Sequence, residues 1–117
     1  MVHHLNLNPS PFSLIKSGIK TIELRLMDEK RQLIKIDDIL IFTNTEDSSA
    51  KLTCVVKSIY QFDSFAELYK SLPLDKCGYM PDEILTASPE DMNIYYSTEK
   101  QKLYGVVGIE IELINNI

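Results

Sequence analysis

The sequence is poor in the residues that most often mark a cofactor, metal or disulfide site. Its 117 residues include four glycines, two cysteines, two histidines and no tryptophan. The glycines are too few and too scattered for a P-loop or a G-x-G-x-x-G loop. Cys54 and Cys77 lack C-x-x-C or metal-like spacing, so we expect free thiols in a reducing cytosol. His3 and His4 are adjacent and would point to opposite sides of an extended chain. We therefore expect no metal and no cofactor.

Long apolar runs are also missing. No stretch approaches the roughly 18 residues that cross a bilayer. The N-terminus, MVHHLNLNPSPF, lacks the basic and then apolar regions of a signal peptide, and we expect its histidines to be exposed near a frayed end. A chain of 117 residues with 44% hydrophobic residues has the size and core of one domain, 1–117. We expect a cytoplasmic domain with no membrane partner, and the oligomeric state stays open.

Charge is distributed unevenly along the chain. The net charge is −5, which does not favour indiscriminate binding to nucleic acid. Residues 1–36 hold six basic and three acidic residues, a net +3, whereas residues 37–117 hold six basic and fourteen acidic residues, a net −8. The basic part is either a solvated charged face or a local anion site on an acidic body.

Hydrophobic periodicity predicts a mixed α and β domain. In chain order the pattern predicts a helix at 10–18 capped by Ser10, strands at 20–26, 37–44 and 51–62, a helix at 63–72, an irregular segment containing short helices near 81–86 and 89–96, and a strand at 106–114. A charged turn covers 27–34 and a polar hairpin loop covers 45–50. Without regular strand–helix alternation, this order favours an α+β fold, a small, mostly antiparallel β-barrel with short helices packed at its ends.

The strand at 20–26 carries an unusual concentration of charge. Glu23 and Arg25 fall on one side of it, whereas Ile22, Leu24 and Leu26 fall on the other. Lys20 stands at the start of the strand, within reach of both charged groups. Arginine has a flat fork of donors suited to phosphate or carboxylate. On spacing alone, however, K-x-x-E-x-R is more often an exposed ion pair that contributes little stability.

Tyrosines surround the irregular segment that precedes the last strand. They are Tyr79, Tyr95, Tyr96 and Tyr104. Such side chains can stack on unpaired bases. More often they are half-buried core residues with a satisfied hydroxyl.

The stretch Gly18-Ile19-Lys20-Thr21-Ile22-Glu23-Leu24-Arg25 resembles the G-x-K-x-x-E-x-R signature of ASCH domains, which are relatives of the PUA fold. The segments PFSLIKSGIKTIELRLMDEKRQLIKIDDILIF, SFAELYKSLPLDKCGY and YYSTEKQKLYGVVGIEIELI also resemble small stand-alone bacterial ASCH proteins. The resemblance implies a small PUA-like β-barrel with flanking helices and a cleft where the signature residues gather. It also implies binding of RNA or a nucleotide-type ligand.

Two departures from the family pattern affect these expectations. Asp37 stands where the family usually has a glycine before a strand, and aspartate tolerates a left-handed turn better than most residues. Some ASCH proteins resemble amidohydrolases that deacetylate a modified cytidine, in which a threonine nucleophile follows a lysine by three residues. Lys20 matches that lysine, but Glu23 stands in the threonine position and Thr21 would point away. The separate glutamate of those enzymes has no clear counterpart in Glu67 or Glu83.

Three functions follow from these observations. The first is an RNA- or nucleotide-binding module with a basic cleft. Its ligand-binding residues would be Lys16, Lys20, Glu23, Arg25, Lys30 and Arg31. In that module Lys20 and Arg25 contact phosphate, and Glu23 orients them or accepts a hydrogen bond from a base or ribose. The second is a modified-nucleoside hydrolase or weak ribonuclease in which Lys20 and Glu23 are catalytic. The third is a protein-interaction domain that uses the acidic C-terminal region.

Overall fold

Alternating apolar residues build one curled sheet in residues 1–115, the part of the chain that the computed structural model describes. Its strands are β1 Val2–Leu7, β2 Ile22–Leu26, β3 Ile39–Asn44, β4 Asp47–Phe62 and β5 Val106–Asn115. The α-helices are α1 Pro9–Lys16, α2 Phe65–Ser71, α3 Pro81–Ile84 and α4 Thr98–Tyr104. The 3₁₀ helices are Arg31–Leu33, Leu74–Cys77 and Pro89–Ile94.

The sheet has the strand order β1-β3-β4-β5-β2 and curls into a half-barrel. β1 pairs with β3 in parallel, whereas the three other pairs are antiparallel. The α+β class and the mostly antiparallel PUA-like barrel are thereby confirmed. Because β1 and β2 lie at the two ends of this order, the barrel is open between them, and that opening positions the site.

The N-terminal strand is the main correction to the expected fold. We predicted a frayed end, but residues 2–7 pair along their whole length with residues 39–44. Leu5 and Leu7 are buried, and Nε2 of His3 lies 2.8 Å from Oδ2 of Asp38. Only His4 is exposed as expected. The sequence VHHLNL has weak strand propensity, so its pairing partner more than 30 residues away decides its conformation.

Other boundaries also shift. The first helix begins at Pro9 after Asn8 rather than at Ser10, although Gly18 with φ of +82° follows its end as expected. The predicted loop 45–50 shrinks to a two-residue turn at 45–46, and α4 lies in the segment expected to be irregular. Asp37 has φ of +76°, the left-handed conformation that its position requires.

Two hydrophobic clusters lie on opposite faces of the sheet at β2. Ile22, Leu24 and Leu26 join Phe65 and Leu68 of α2 in one cluster. The other cluster is formed mainly by β1, α1, β3, β4 and β5. Directly paired residues share a face of a sheet. Both faces of β2 are therefore covered, including the face that carries its charges.

Candidate ligand-binding cleft

A cleft of about 440 Å³ opens at the free edge of β2. One side is lined by residues of β1 and α1, including Asn6, Leu7 and Leu14. The other side is lined by residues of the segment from α2 to the 3₁₀ helix Pro89–Ile94 and the two tyrosines that follow it. Lys20, Glu23 and Arg25 lie between these sides. The cleft is thus the opening that the two unpaired sheet edges leave.

Glu23 is held between two cations. It lies opposite Ile109 in the sheet, whereas Arg25 lies opposite Val107, and both partners belong to a hydrophobic cluster. Glu23 is consequently only 3% exposed. Nζ of Lys20 lies 2.8 Å from Oε1 of Glu23, and Nε of Arg25 lies 2.7 Å from Oε2. The predicted surface ion pair is therefore a buried three-residue cluster, which we call the charge triad (Lys20, Glu23 and Arg25).

The guanidinium of Arg25 also reaches across the opening of the barrel. Its Nη2 donates a 2.7 Å hydrogen bond to the backbone oxygen of Asn6 on β1. A single guanidinium thus joins both edges of the half-barrel while also binding Glu23. Only arginine has donors in a rigid fork that can serve two such acceptors at once.

Electrostatics keep the triad ionised. Burial alone would raise the pKa of Glu23, but Lys20 and Arg25 outweigh it and hold that pKa below its usual value. Burial alone would lower the pKa of Arg25, but the carboxylate of Glu23 reverses the shift and raises it. Both shifts favour the charged forms of Glu23 and Arg25.

Local backbone structure places Lys20 at the cleft. The chain turns after α1, where the amides of Ile19 and Lys20 both donate to the oxygen of Leu14 at 3.0 Å. The loop after the 3₁₀ helix Leu74–Cys77 comes close to the lysine. A Cβ on Gly78, whose φ is +109°, would lie 3.3 Å from Cδ of Lys20. A glycine there supplies both the left-handed conformation and the room for the lysine side chain.

Tyrosines form the opposite side of the cleft. The hydroxyls of Tyr69 and Tyr79 lie 2.6 Å apart, and Tyr79 donates at 2.8 Å to Oδ2 of Asp91. Because Tyr79 has one proton and uses it on Asp91, Tyr69 is the donor to Tyr79. Burial, followed by these hydrogen bonds, raises the pKa of Tyr79. Tyr96 stacks on Phe65 with ring centroids 6.2 Å apart.

The cleft is not basic overall. Two cations and three carboxylates line it, namely Lys20 and Arg25 with Glu23, Glu83 and Asp91. The expectation of a basic cleft is therefore not met. Donor groups concentrate at the triad, whereas acceptor groups concentrate along the tyrosine side.

The ASCH family model matches residues 5–115 of the chain. This chain belongs to the ASCH domain family. It is similar to the crystal structure of hypothetical protein PH0355, with 36% identity, a TM-score of 0.80, and coverage of 97% of this chain and 100% of the other. It is also similar to the solution structure of PF0455 from Pyrococcus furiosus, with 34% identity, a TM-score of 0.72, and coverage of 98% and 99%.

A more distant similarity concerns the fold alone. The S128A mutant of ZmASCH from Zymomonas mobilis matches with 14% identity and a TM-score of 0.68, over 99% of this chain and 72% of that one. No curated protein matches the sequence. In residues 1–115 of this ASCH domain, no helix has both the length and the apolar character needed to span a membrane.

The six predicted ligand-binding residues lie in three separate places in the ASCH domain. Lys20, Glu23 and Arg25 line the cleft together. Lys16 is exposed in the last turn of α1 and does not line it. Lys30 and Arg31 line a second, smaller hollow of about 160 Å³. A binding role for all six remains a prediction.

Several cleft residues were not among the predicted site residues. Asn6 comes from a strand that we did not predict, and Tyr69 belongs to the helix predicted at 63–72. Asp91 belongs to the short helix predicted near 89–96, whereas Tyr79, Tyr95 and Tyr96 had been considered as stacking residues and do line the cleft. Tyr104 instead donates to Oε1 of Glu29 at 3.0 Å and lies outside the cleft.

The nucleophile expected for an amidohydrolase is not at the cleft. Thr21 is not a lining residue. Cys77 lines the cleft, but burial raises the pKa of its thiol to about 11. A thiol with that pKa is almost entirely protonated at pH 7 and is a poor nucleophile. Neither Thr21 nor Cys77 therefore supplies a nucleophile to the cleft.

Proposed function

We propose that this ASCH domain binds an unpaired RNA nucleotide, with the base in the cleft. ASCH domains have a PUA-like fold that often binds RNA, and single-stranded or looped elements are the usual targets of sequence-reading RNA modules. The observation that carries the proposal is the placement of hydrogen-bonding groups of the charge triad opposite a side of tyrosines. This combination suits a flat, polar, aromatic ligand.

The triad retains capacity for a ligand after its internal bonds are counted. Arg25 uses two of its five N–H donors, on Glu23 and Asn6. Lys20 uses one of its three on Glu23. Each oxygen of Glu23 accepts one of these bonds and has a further lone pair. Donors and an acceptor side by side match the edge of a nucleobase, where carbonyl and amino groups alternate.

The charge of the cleft favours a base over a phosphate in this position. Glu23 already balances one of the two cations, and the carboxylates of Glu83 and Asp91 also line the cleft. A dianionic phosphate would meet these carboxylates at short range, whereas an uncharged base would not. The aromatic side supports the same choice, because stacking on a tyrosine contributes about 1–3 kcal/mol per base.

The hydrolase alternative has less support from the geometry. A general acid needs a pKa near the working pH. The pKa of Glu23 is instead lowered by Lys20 and Arg25. Both of its oxygens are engaged by those cations. We therefore propose a binding role for the triad.

The test is a titration of the protein with the four ordinary nucleosides, with N4-acetylcytidine and with a single-stranded RNA hexamer that contains all four bases. Lys20→Gln removes a charged donor and keeps a long polar side chain. Because a hydrogen bond to a charged group is worth about 1.5–3 kcal/mol, we expect the hexamer Kd to rise about 10- to 100-fold.

Lys16→Gln is the matched control, because Lys16 is exposed and outside the cleft. We expect less than a twofold change for it, and a cooperative melting transition above the titration temperature in both variants would show that each is folded. Equal Kd values for the two variants, or no binding of any probe to the unmodified protein, would refute the proposal. Release of acetate from N4-acetylcytidine that disappears in Lys20→Gln would support the hydrolase instead.

A further inference from the structure

A second hollow lies at the other end of the edge strand β1. It has a volume of about 160 Å³ and is lined by His3, His4, Leu5, Lys30, Arg31, Leu33 and Ile34. Lys30 is exposed and has no ion-pair partner within residues 1–115. Arg31 has only a long contact of 3.5 Å, from Nη1 to Oδ2 of Asp28. The two cations are thus much less neutralised than those of the charge triad.

The hollow and the cleft are joined by β1. Leu5 lines the hollow, whereas Asn6 and Leu7 line the cleft. At a strand rise of about 3.3 Å per residue, His4 and Asn6 are separated by roughly 7 Å. β1 is also an edge strand, so no neighbouring strand covers the side that faces β2. An extended chain lying along this edge can therefore reach both places.

The charged residues around the cleft indicate on which side a bound RNA strand can extend out of it. The opposite rim carries Glu83 of α3 and Asp91 of the 3₁₀ helix Pro89–Ile94. Asp82 and Glu90 are exposed in the same elements. A phosphodiester chain is repelled on that side. It is attracted on the β1 side, where Lys30 and Arg31 stand.

We propose that the hollow around Lys30 and Arg31 is a separate phosphate subsite for an RNA strand that runs along β1. This inference rests on the proposed binding of a base in the cleft. The lining of the cleft offers little net attraction for the backbone phosphates of the ligand, whereas the hollow is an adjacent cationic surface that attracts them. The partner is accordingly a strand of several nucleotides rather than a free nucleoside or nucleotide.

The experiment compares two double variants with the same change in net charge. Lys30→Ala/Arg31→Ala removes both cations of the hollow. Lys57→Ala/Lys102→Ala removes two exposed lysines that line neither the hollow nor the cleft. Kd is measured for the mixed-sequence RNA hexamer over a series of salt concentrations, and for the four nucleosides at one salt concentration.

We expect the hollow variant to weaken hexamer binding about tenfold and to leave nucleoside binding unchanged. The slope of log K against log salt is negative, and each lost phosphate contact reduces its magnitude by about 0.7 for a single strand. The loss of two contacts should therefore make the slope less steep by about 1.4. The control variant should change hexamer affinity about threefold or less.

The experiment distinguishes failure of the phosphate subsite from failure of base binding in the cleft. Nucleoside binding together with equal hexamer affinities in the two double variants would overturn the subsite and leave the cleft proposal intact. Weaker nucleoside binding in the hollow variant would also overturn it, because a phosphate subsite has no contact with a nucleoside. Absence of binding by both probes to the unmodified protein would overturn both proposals.

Discussion

Glu23 combines deep burial with full ionisation, which is costly unless the charge is well compensated. Its two oxygens are bound at 2.8 Å and 2.7 Å by Lys20 and Arg25. The side chains of these cations are themselves only 10% and 13% exposed. Removing one member of such a group leaves its partners buried without compensation, which destabilises a protein far more than an exposed pair does.

We predict that Glu23→Gln lowers the free energy of unfolding by about 3–5 kcal/mol, the range for breaking a buried ion pair. Glutamine keeps the shape of the side chain but leaves two cations facing a neutral group. Glu83→Gln is the control, since Glu83 is exposed and lines the same cleft. Oε1 of Glu83 accepts a 2.8 Å hydrogen bond from the amide of Met80, and a glutamine oxygen can accept the same bond. This variant should therefore change stability by no more than about 0.5 kcal/mol. Urea unfolding of both variants measures these changes in the free energy of unfolding. Equal changes in the two variants would mean that the triad is not a buried charge cluster.

Sequence alternation predicted the two faces of β2 but not the burial of its charged face. Ile22, Leu24 and Leu26 share one face, as the alternation predicted, and they pack against α2. The surroundings of Glu23 and Arg25 depend on Ile109 and Val107, more than 80 residues away in β5. A period-two pattern carries no information about such distant partners, so an exposed pair was the natural interpretation from spacing alone.

At the scale of elements, Asp38, which directly precedes β3, adds side-chain contacts to the full-length pairing of β1 with β3. His3 is joined to Oδ2 of Asp38, and the amide of Lys35 donates to the same oxygen at 3.0 Å. These hydrogen bonds, with that of His3 first, hold the pKa of Asp38 at about 2, below its ordinary value of 3.8. One carboxylate thus fixes the N-terminal strand and the turn before β3 together.

The lowered pKa of Asp38 determines how the stability of the protein depends on pH. A carboxyl group whose pKa is lower in the folded state contributes stability that is fully present above its unfolded value and is lost as pH falls. For Asp38 the loss should occur between about pH 4 and pH 2. Asp38→Asn should therefore be less stable than the unmodified protein at pH 5 and above, and most of the difference should be lost by pH 2.

Thermal melting from pH 2 to pH 7 measures this difference. Asp63→Asn is the control, because Asp63 is exposed and makes no side-chain hydrogen bond or ion pair in the described part of the chain. A gap between Asp38→Asn and the unmodified protein that stays constant down to pH 2 would contradict the assigned role of the carboxylate.

Elements with strong local signals were predicted well, and elements that depend on tertiary contacts were not. The second helix and the last strand lie close to their predicted positions. β1 and α4 were missed. β1 contains two histidines and an asparagine among its six residues, and its burial comes from pairing with β3. α4 has no fully buried residue, so its apolar pattern is too weak to identify it.

At the scale of the molecule, the uneven distribution of charge along the sequence produces an uneven distribution of charge around the cleft. Four of the six basic residues in 1–36 lie at the triad and in the hollow, whereas acidic residues line the far side of the cleft. Formation of the cleft brings together Asn6, Arg25, Tyr79 and Asp91, which are widely separated in sequence. The signature stretch could therefore identify the triad, but only the folded chain supplies the opposite side.

The most direct test of the central proposal is the NMR spectrum of the protein during titration with the mixed-sequence RNA hexamer. The proposed binding predicts that the largest shifts occur at the Arg25 Nε–H group and at the rings of Tyr79 and Tyr95, which face the cleft. Resonances of exposed residues on β4, such as Lys57, should stay unchanged. Shifts confined to residues outside the cleft, or no shifts at any hexamer concentration, would contradict the binding of a base at the charge triad.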